Sequence, residues 1–122
     1  MKINVLPQPL TVAKLNNAKD APKQGFVSLT ATGQEVSLVC ETAYVPKTAL
    51  AREDGWRALG IDGQLEFSLV GVLAKISAIL AESGVPIFVL STYDTDYILV
   101  KNKNLAAACD ALTLKGYIIQ EL

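Results

Sequence analysis

The run at residues 85–90, Val-Pro-Ile-Phe-Val-Leu, constrains the fold more than any other stretch of the chain. It lies between Gly84 and Ser91, and both of its alternating sets are apolar: Val85, Ile87 and Val89 on one, Pro86, Phe88 and Leu90 on the other. Its length and branched content predict a strand that must be covered on both faces. Ahead of it, Val72, Leu73, Ile76, Ile79 and Leu80 recur at helical spacing as far as Glu82, and Gly84 with Pro86 beyond is a helix stop. After it, Ser-Thr-Tyr-Asp at 91–94 predicts a turn, and Tyr-Ile-Leu-Val-Lys at 97–101 predicts a strand paired antiparallel with the first.

The flanks complete a pattern. Residues 65–70 predict a strand before the first helix. Asn102 or Asn104 is placed to cap a second helix, with Leu105, Ala108 or Cys109, and Leu112 on its apolar face. Gly116 ends that helix, and residues 117–120 form a last strand. The order strand-helix-strand-strand-helix-strand is that of the ferredoxin-like split βαβ motif.

The first half of the chain repeats this order imperfectly. Residues 10–15 (Leu-Thr-Val-Ala-Lys-Leu) predict a strand, and the polar segment 16–24 with Pro22 predicts a loop. Residues 26–31 and 35–41 alternate, and Thr32-Gly33 between them signals a hairpin. One or two helical turns are expected at 48–53 and a strand at 56–61. The expected fold class is therefore α+β, with two ferredoxin-like (βαββαβ) units. The first, 1–61, is degenerate: its first helix is replaced by a loop and its second is shortened. The second is 62–122, and the junction falls near residues 60–64. Helices on one side of a sheet cover only one face of the strand at 85–90, so the other face calls for close docking of the units side by side, or for another chain.

A chain of 122 residues holds one compact domain or two very small ones. Hydrophobic residues are 51% and charged residues 19%, which argues against disorder. Eleven basic against 12 acidic residues leave no cationic excess for a phosphate backbone, so nucleic acid is not an expected partner. Histidine is absent, which removes Ser-His and Cys-His nucleophilic pairs and imidazole metal ligands. No phosphate-binding loop, dinucleotide fingerprint or Cys/His metal spacing occurs, so no cofactor and no metal are expected. Cys40 and Cys109 sit among small apolar residues and read as buried thiols; a disulfide would need an oxidising compartment. The start of the chain, interrupted by Pro7 and Pro9, does not read as a signal peptide. No apolar stretch approaches the ~18 residues of a membrane span. No membrane association and a cytoplasmic location are the expectations.

Two places carry candidate chemistry. Residues 90–101 set Ser91, Thr92, Tyr93, Asp94, Thr95 and Asp96 between two apolar strands. Hydroxyls and carboxylates at such an edge can bind an amine or guanidinium. The plain alternative is a hairpin turn, where Ser, Thr and Asp bond their own backbone. Asp94 and Asp96 are too close in sequence to serve as two carboxylates flanking a substrate. The second place is the loop Ser68, Leu69, Val70, Gly71, Val72, Leu73, which leads into a helix N-terminus. Unpaired N–H groups and the helix dipole favour an anion there, and Gly71 permits close approach, although a glycine in such a turn also has a purely conformational use. If the strand ends line up, the two places could grip the two ends of an amino acid. Trp56 is either a core aromatic at a strand start or a binding-surface residue.

Trp56, the run Leu-Glu-Phe-Ser-Leu-Val-Gly-Val-Leu at 65–73 and the run Ser-Thr-Tyr-Asp-Thr-Asp-Tyr-Ile-Leu-Val at 91–100 carry a family resemblance. Residues 55–112 resemble the ACT-domain proteins, particularly the branch of CASTOR-type amino-acid sensors and aspartate kinase regulatory domains. The resemblance implies a tandem ACT fold that binds an amino acid or similar small molecule where units meet. Ser68, Leu69, Gly71, Val72 and Leu73 would form the ligand loop, with backbone amides near Gly71 and Val72 taking a carboxylate. Ser91, Thr92, Asp94, Thr95 and Asp96 would form the facing side, with Asp96 or Asp94 taking an amine or basic side chain. With a single tandem and no catalytic domain, a shared pocket would require a homodimer. The expected function is that of a non-enzymatic regulatory protein. A ligand-free interaction module that docks on an enzyme or transporter is the alternative, and a small carboxylate enzyme is the remote third.

Overall fold

The computed structural model describes residues 1–62 and 71–122. The strand expected at 65–70 lies outside the described residues. These form eight strands and two α-helices: β1 (Lys2–Val5), β2 (Leu10–Leu15), β3 (Val27–Ala31), β4 (Val36–Glu41), β5 (Ala51–Ile61), α1 (Val72–Glu82), β6 (Phe88–Ser91), β7 (Asp96–Lys101), α2 (Leu105–Leu114) and β8 (Ile118–Glu121). The class is α+β, as expected. The chain divides into two compact units, an N-terminal one of Gln8–Trp56 and a C-terminal one of Met1–Pro7 with Arg57–Leu122.

In the C-terminal unit β6 pairs β7, and β7 pairs β5. The other neighbour of β5 is β1, antiparallel through Ile3–Ile61, Asn4–Gly60 and Val5–Leu59. β8 lies beyond β1 and parallel to it, from Lys2–Ile118 to Val5–Glu121. The sequence pattern predicts no strand at residues 2–5 and a unit boundary after residue 61. The structure groups Met1–Pro7 and residues 57–61 with the C-terminal unit because β1 is hydrogen-bonded on both edges there. Arg57 fastens the end of β1: its Nε and Nη2 donate to Leu6 O at 3.1 and 2.9 Å.

α1 buries Ile76 and Leu80, and α2 buries Ala108 and Leu112, one face of each helix. They meet Ile3, Val5, Leu59, Ile61, Val85, Ile98 and Val100 in one cluster. Full burial of a side chain of this size is worth roughly 1.5–3 kcal/mol. Both helices end in the same way. Gly84 and Gly116 take positive φ (71° and 94°). The next residues, Val85 and Tyr117, donate N–H to Leu80 O and Leu112 O at 2.9 and 3.1 Å. This is the Schellman closure, and Val85 and Tyr117 pack into the cluster that it anchors. It corrects one expectation: residues 85–87 belong to the helix exit, and β6 begins only at Phe88. At Gly60 the chain passes close to Tyr97: a Cβ there would lie 3.0 Å from Cε1, so a larger residue would require the ring to shift.

In the N-terminal unit the antiparallel order is β3-β4-β2-β5. Between β2 and β3 stands only a short 3-10 turn (Ala18–Asp20), and after β4 another (Thr42–Tyr44). Helical turns expected at 48–53 are absent: β5 starts at Ala51, which pairs with Lys14, and continues through Arg52–Ala13 and Glu53–Val12. Pairing with β2 overrides the local preference. The β2–β5 register shifts between Leu10 and Val12, and the residue at this bulge, Thr11, is fully buried. Its Oγ1 donates to Asp54 Oδ1 at 2.7 Å and lies 2.9 Å from the Thr42 hydroxyl. Arg52 Nη2 holds the same carboxylate oxygen at 2.9 Å. The buried hydroxyl is thus satisfied, as burial demands.

Candidate functional site

α1 begins at Gly71, whose φ of 85° and ψ of 0° fit glycine and strain other residues. Among the described residues no side chain caps this end, and its first turn contains no acidic residue. The first N–H groups therefore lack the side-chain acceptor that a Ser, Thr, Asp or Asn would supply. The side chains of Val72 and Leu73 pack against the core cluster, so these two residues offer a ligand their backbone. Ser68 and Leu69 lie outside the described residues.

The β6–β7 hairpin holds the other candidates. Its turn closes on itself: Thr92 N donates to Thr95 O at 2.8 Å, Thr92 Oγ1 donates to Thr95 O at 3.1 Å, and Thr95 N donates to Thr92 Oγ1 at 3.3 Å. Where the strands enter the turn, Ser91 Oγ donates to Asp96 Oδ1 at 2.6 Å, a charge-assisted bond. These are the local bonds of the plain turn reading. Thr95 reaches further: its Oγ1 donates to Ile61 O at 3.2 Å, which places the turn beside the end of β5. Asp94 is exposed, and Tyr93 is 77% exposed. Trp56 is buried, so it is a core aromatic.

A concavity of about 360 Å³ opens where α1 starts and α2 ends, lined by Met1, Val72, Lys75, Lys115, Gly116 and Tyr117. Of the eight described residues among the candidates singled out from sequence, Val72 is the one that lines it. Lys75 and Lys115 belong to helices that meet only after folding, so no local spacing announces them. The available signal was a lysine in the first turn of α1, where the dipole favours anions. Among the described residues no cluster of His, Cys, Asp or Glu could hold a metal ion, and no helix is long and apolar enough to cross a membrane. Cys40 is buried and Cys109 half-buried, both as free thiols; loss of solvation pushes each thiol above its usual 9.0.

Comparison with known proteins adds what geometry does not. The family model described as "ACT domain" matches residues 51–113. No curated protein matches. Among solved structures, a protein from Agobacterium tumefaciens is similar at 30% identity over 99% of this chain and 92% of its own, with a TM-score of 0.88. A Vibrio cholerae protein of unknown function, described as a possible transport protein, is 18% identical over 90% of this chain and 85% of its own, with a TM-score of 0.70. The ligand-free regulatory subunit of aspartate kinase from Thermus thermophilus is 10% identical over 92% of this chain and 95% of its own, with a TM-score of 0.66. At such low identity the last two are likenesses of fold.

Proposed function

The chain belongs to the ACT-domain family, and from that premise we propose that it is a non-enzymatic regulatory protein whose ligand is an amino acid. The observation that supports this reading best is the start of α1. There, inside the matched segment, Gly71 leads into a helix with no side-chain cap among the described residues and no acid in its first turn. A ligand carboxylate supplies what that end lacks. Asp96, already oriented by Ser91, is the group for an amine or basic side chain. The degenerate first unit and the C-terminal unit form one tandem, and a second copy of the chain completes a pocket shared between tandems.

A thermal-shift panel of the common amino acids tests the reading. A ligand at 100 times its Kd adds about 2.7 kcal/mol of stability. Asp96→Ala is expected to weaken a basic amino acid more than a neutral one. Ser91→Ala, which keeps the carboxylate and loses only its orienting bond, is expected to have the smaller effect. No stabilisation by any amino acid would overturn the proposal, and equal losses for basic and neutral ligands would make Asp96 structural.

A further inference from the structure

We propose that the groove between the start of α1 and the end of α2 binds a compact small-molecule dianion, a dicarboxylate or a phosphate monoester, between Lys75 and Lys115. Two adjoining concavities, of about 360 and 350 Å³, share Lys75, Lys115 and Tyr117 in their linings. Each could hold the equivalent of several waters, at about 30 Å³ per water in the liquid. Both lysines are exposed, and neither has an ion-pair partner among the described residues.

The two lysines differ in what helix stability explains. Lys115 is the C-cap of α2, where the dipole favours a cation. Lys75 stands in the first turn of α1, where a cation adds to the positive end of the dipole and no acid offsets it. The groove is thus cationic at the end lined by Val72 and Gly116, where neither lysine is ion-paired among the described residues. Tyr117, half-buried beside both lysines, supplies a phenol for hydrogen bonding. The other end limits the guest: Glu82 lines the second concavity, and it follows Lys75 by about 10 Å along the helix at 1.5 Å per residue. A long anion would run into that carboxylate, whereas a compact one keeps both charges between the lysines.

The inference stands apart from the amino-acid reading and shares only Val72 with its residues. It is tested by amide NMR titration of the whole chain, in buffer free of amino acids, with inorganic phosphate and separately with succinate. Saturable shifts are expected at Val72, Gly116 and Tyr117, with affinity falling as sodium chloride is raised. Lys75→Gln and Lys115→Gln are each expected to weaken binding by about tenfold or more, a loss of about 1.4 kcal/mol or more. Both sites are exposed, so the fold survives, which an unchanged amide spectrum elsewhere verifies. Preference for phosphate points to a phosphate monoester, and preference for succinate to a dicarboxylate. Absence of saturable shifts with both probes overturns the proposal, as do shifts reproduced by chloride or unaffected by either substitution. A negative amino-acid panel leaves this result standing, and a negative titration here leaves that panel standing, so the two readings fail separately.

Discussion

The β3–β4 hairpin of the N-terminal unit and the β6–β7 hairpin of the C-terminal unit match in detail. In β4 and β7 alike the first two residues and the last are half-buried and the three between are buried. Thr32 pinches the first turn, donating N–H to Glu35 O at 2.9 Å and accepting from Glu35 N at 3.1 Å. Thr92 does the same with Thr95. A 3-10 turn follows each hairpin, at Thr42–Tyr44 and at Asn102–Asn104. The units then part. After Asn104 the chain runs into α2, whereas after Tyr44 comes Val45-Pro46, with Val45 extended (φ −62°, ψ 127°). Proline disfavours helical geometry in the residue before it, so the helix stops at one turn. The same hairpin is therefore covered in two ways. Ile98 and Val100 of β7 pack in a cluster with Ile76, Leu80, Ala108 and Leu112 of the two helices. Leu38 and Cys40 of β4 meet Ala13 and Leu15 on β2, with smaller loop residues such as Ala21, Val45 and Ala49 at the margin. Strands set the hairpin, and a few residues after it decide whether a helix covers it.

The comparison breaks most visibly under truncation of its two cores. Leu80→Ala is expected to cost about 3–5 kcal/mol and Leu38→Ala about 2–3, because small loop residues can relax into the space more readily than helices can. Urea unfolding measures both, and a larger cost at Leu38 would mean that loops cover as rigidly as helices. The matched turns give a smaller effect: Thr32→Ala and Thr92→Ala are each expected to cost about 0.5–1.5 kcal/mol, the range of a net hydrogen bond. Equal losses keep the hairpins equivalent, and a loss confined to one would end the parallel. The smallest effect lies in the thiols. Burial raises both above the usual 9.0, so on raising the pH the unfolded chain gives up its thiol protons first. Stability should then decline from about pH 9 upward until the folded thiols ionise as well. Cys40→Ala and Cys109→Ala should each flatten that decline, and at fixed pH Cys109 should alkylate before the fully buried Cys40.

What the sequence disclosed followed from local pattern. The stripe of Val72, Ile76 and Leu80 with its glycine stop, the β6–β7 hairpin and the apolar face of α2 all stand close to where spacing put them. What it hid was set by distant partners. Residues 51–55 are all exposed, with no alternation to read, and are strand only because β2 pairs with them. β1 is four residues followed by Pro7 and Pro9, too short to signal until its neighbours on both edges are known. The site divides in the same way. Gly71 and the 91–96 hairpin are legible as a helix start and a turn, whereas Lys75 and Lys115 share a groove only through the meeting of two helix ends.

The placement of β1 between β5 and β8 also bears on how the chain is made. Asn4 and Gln120, hydrogen-bonded side chains on these neighbouring strands, are 116 positions apart in the chain. Contacts of such separation form late, because a long loop must close before they return any stabilisation. During synthesis β1 leaves the ribosome well ahead of the strand that covers its open edge, while Gln8–Trp56 emerges as one contiguous stretch. The strands of the N-terminal unit are thus all available to pair before those of the C-terminal unit. An arrested nascent chain ending near residue 100 would present β1 with that edge bare, ready to pair with another chain.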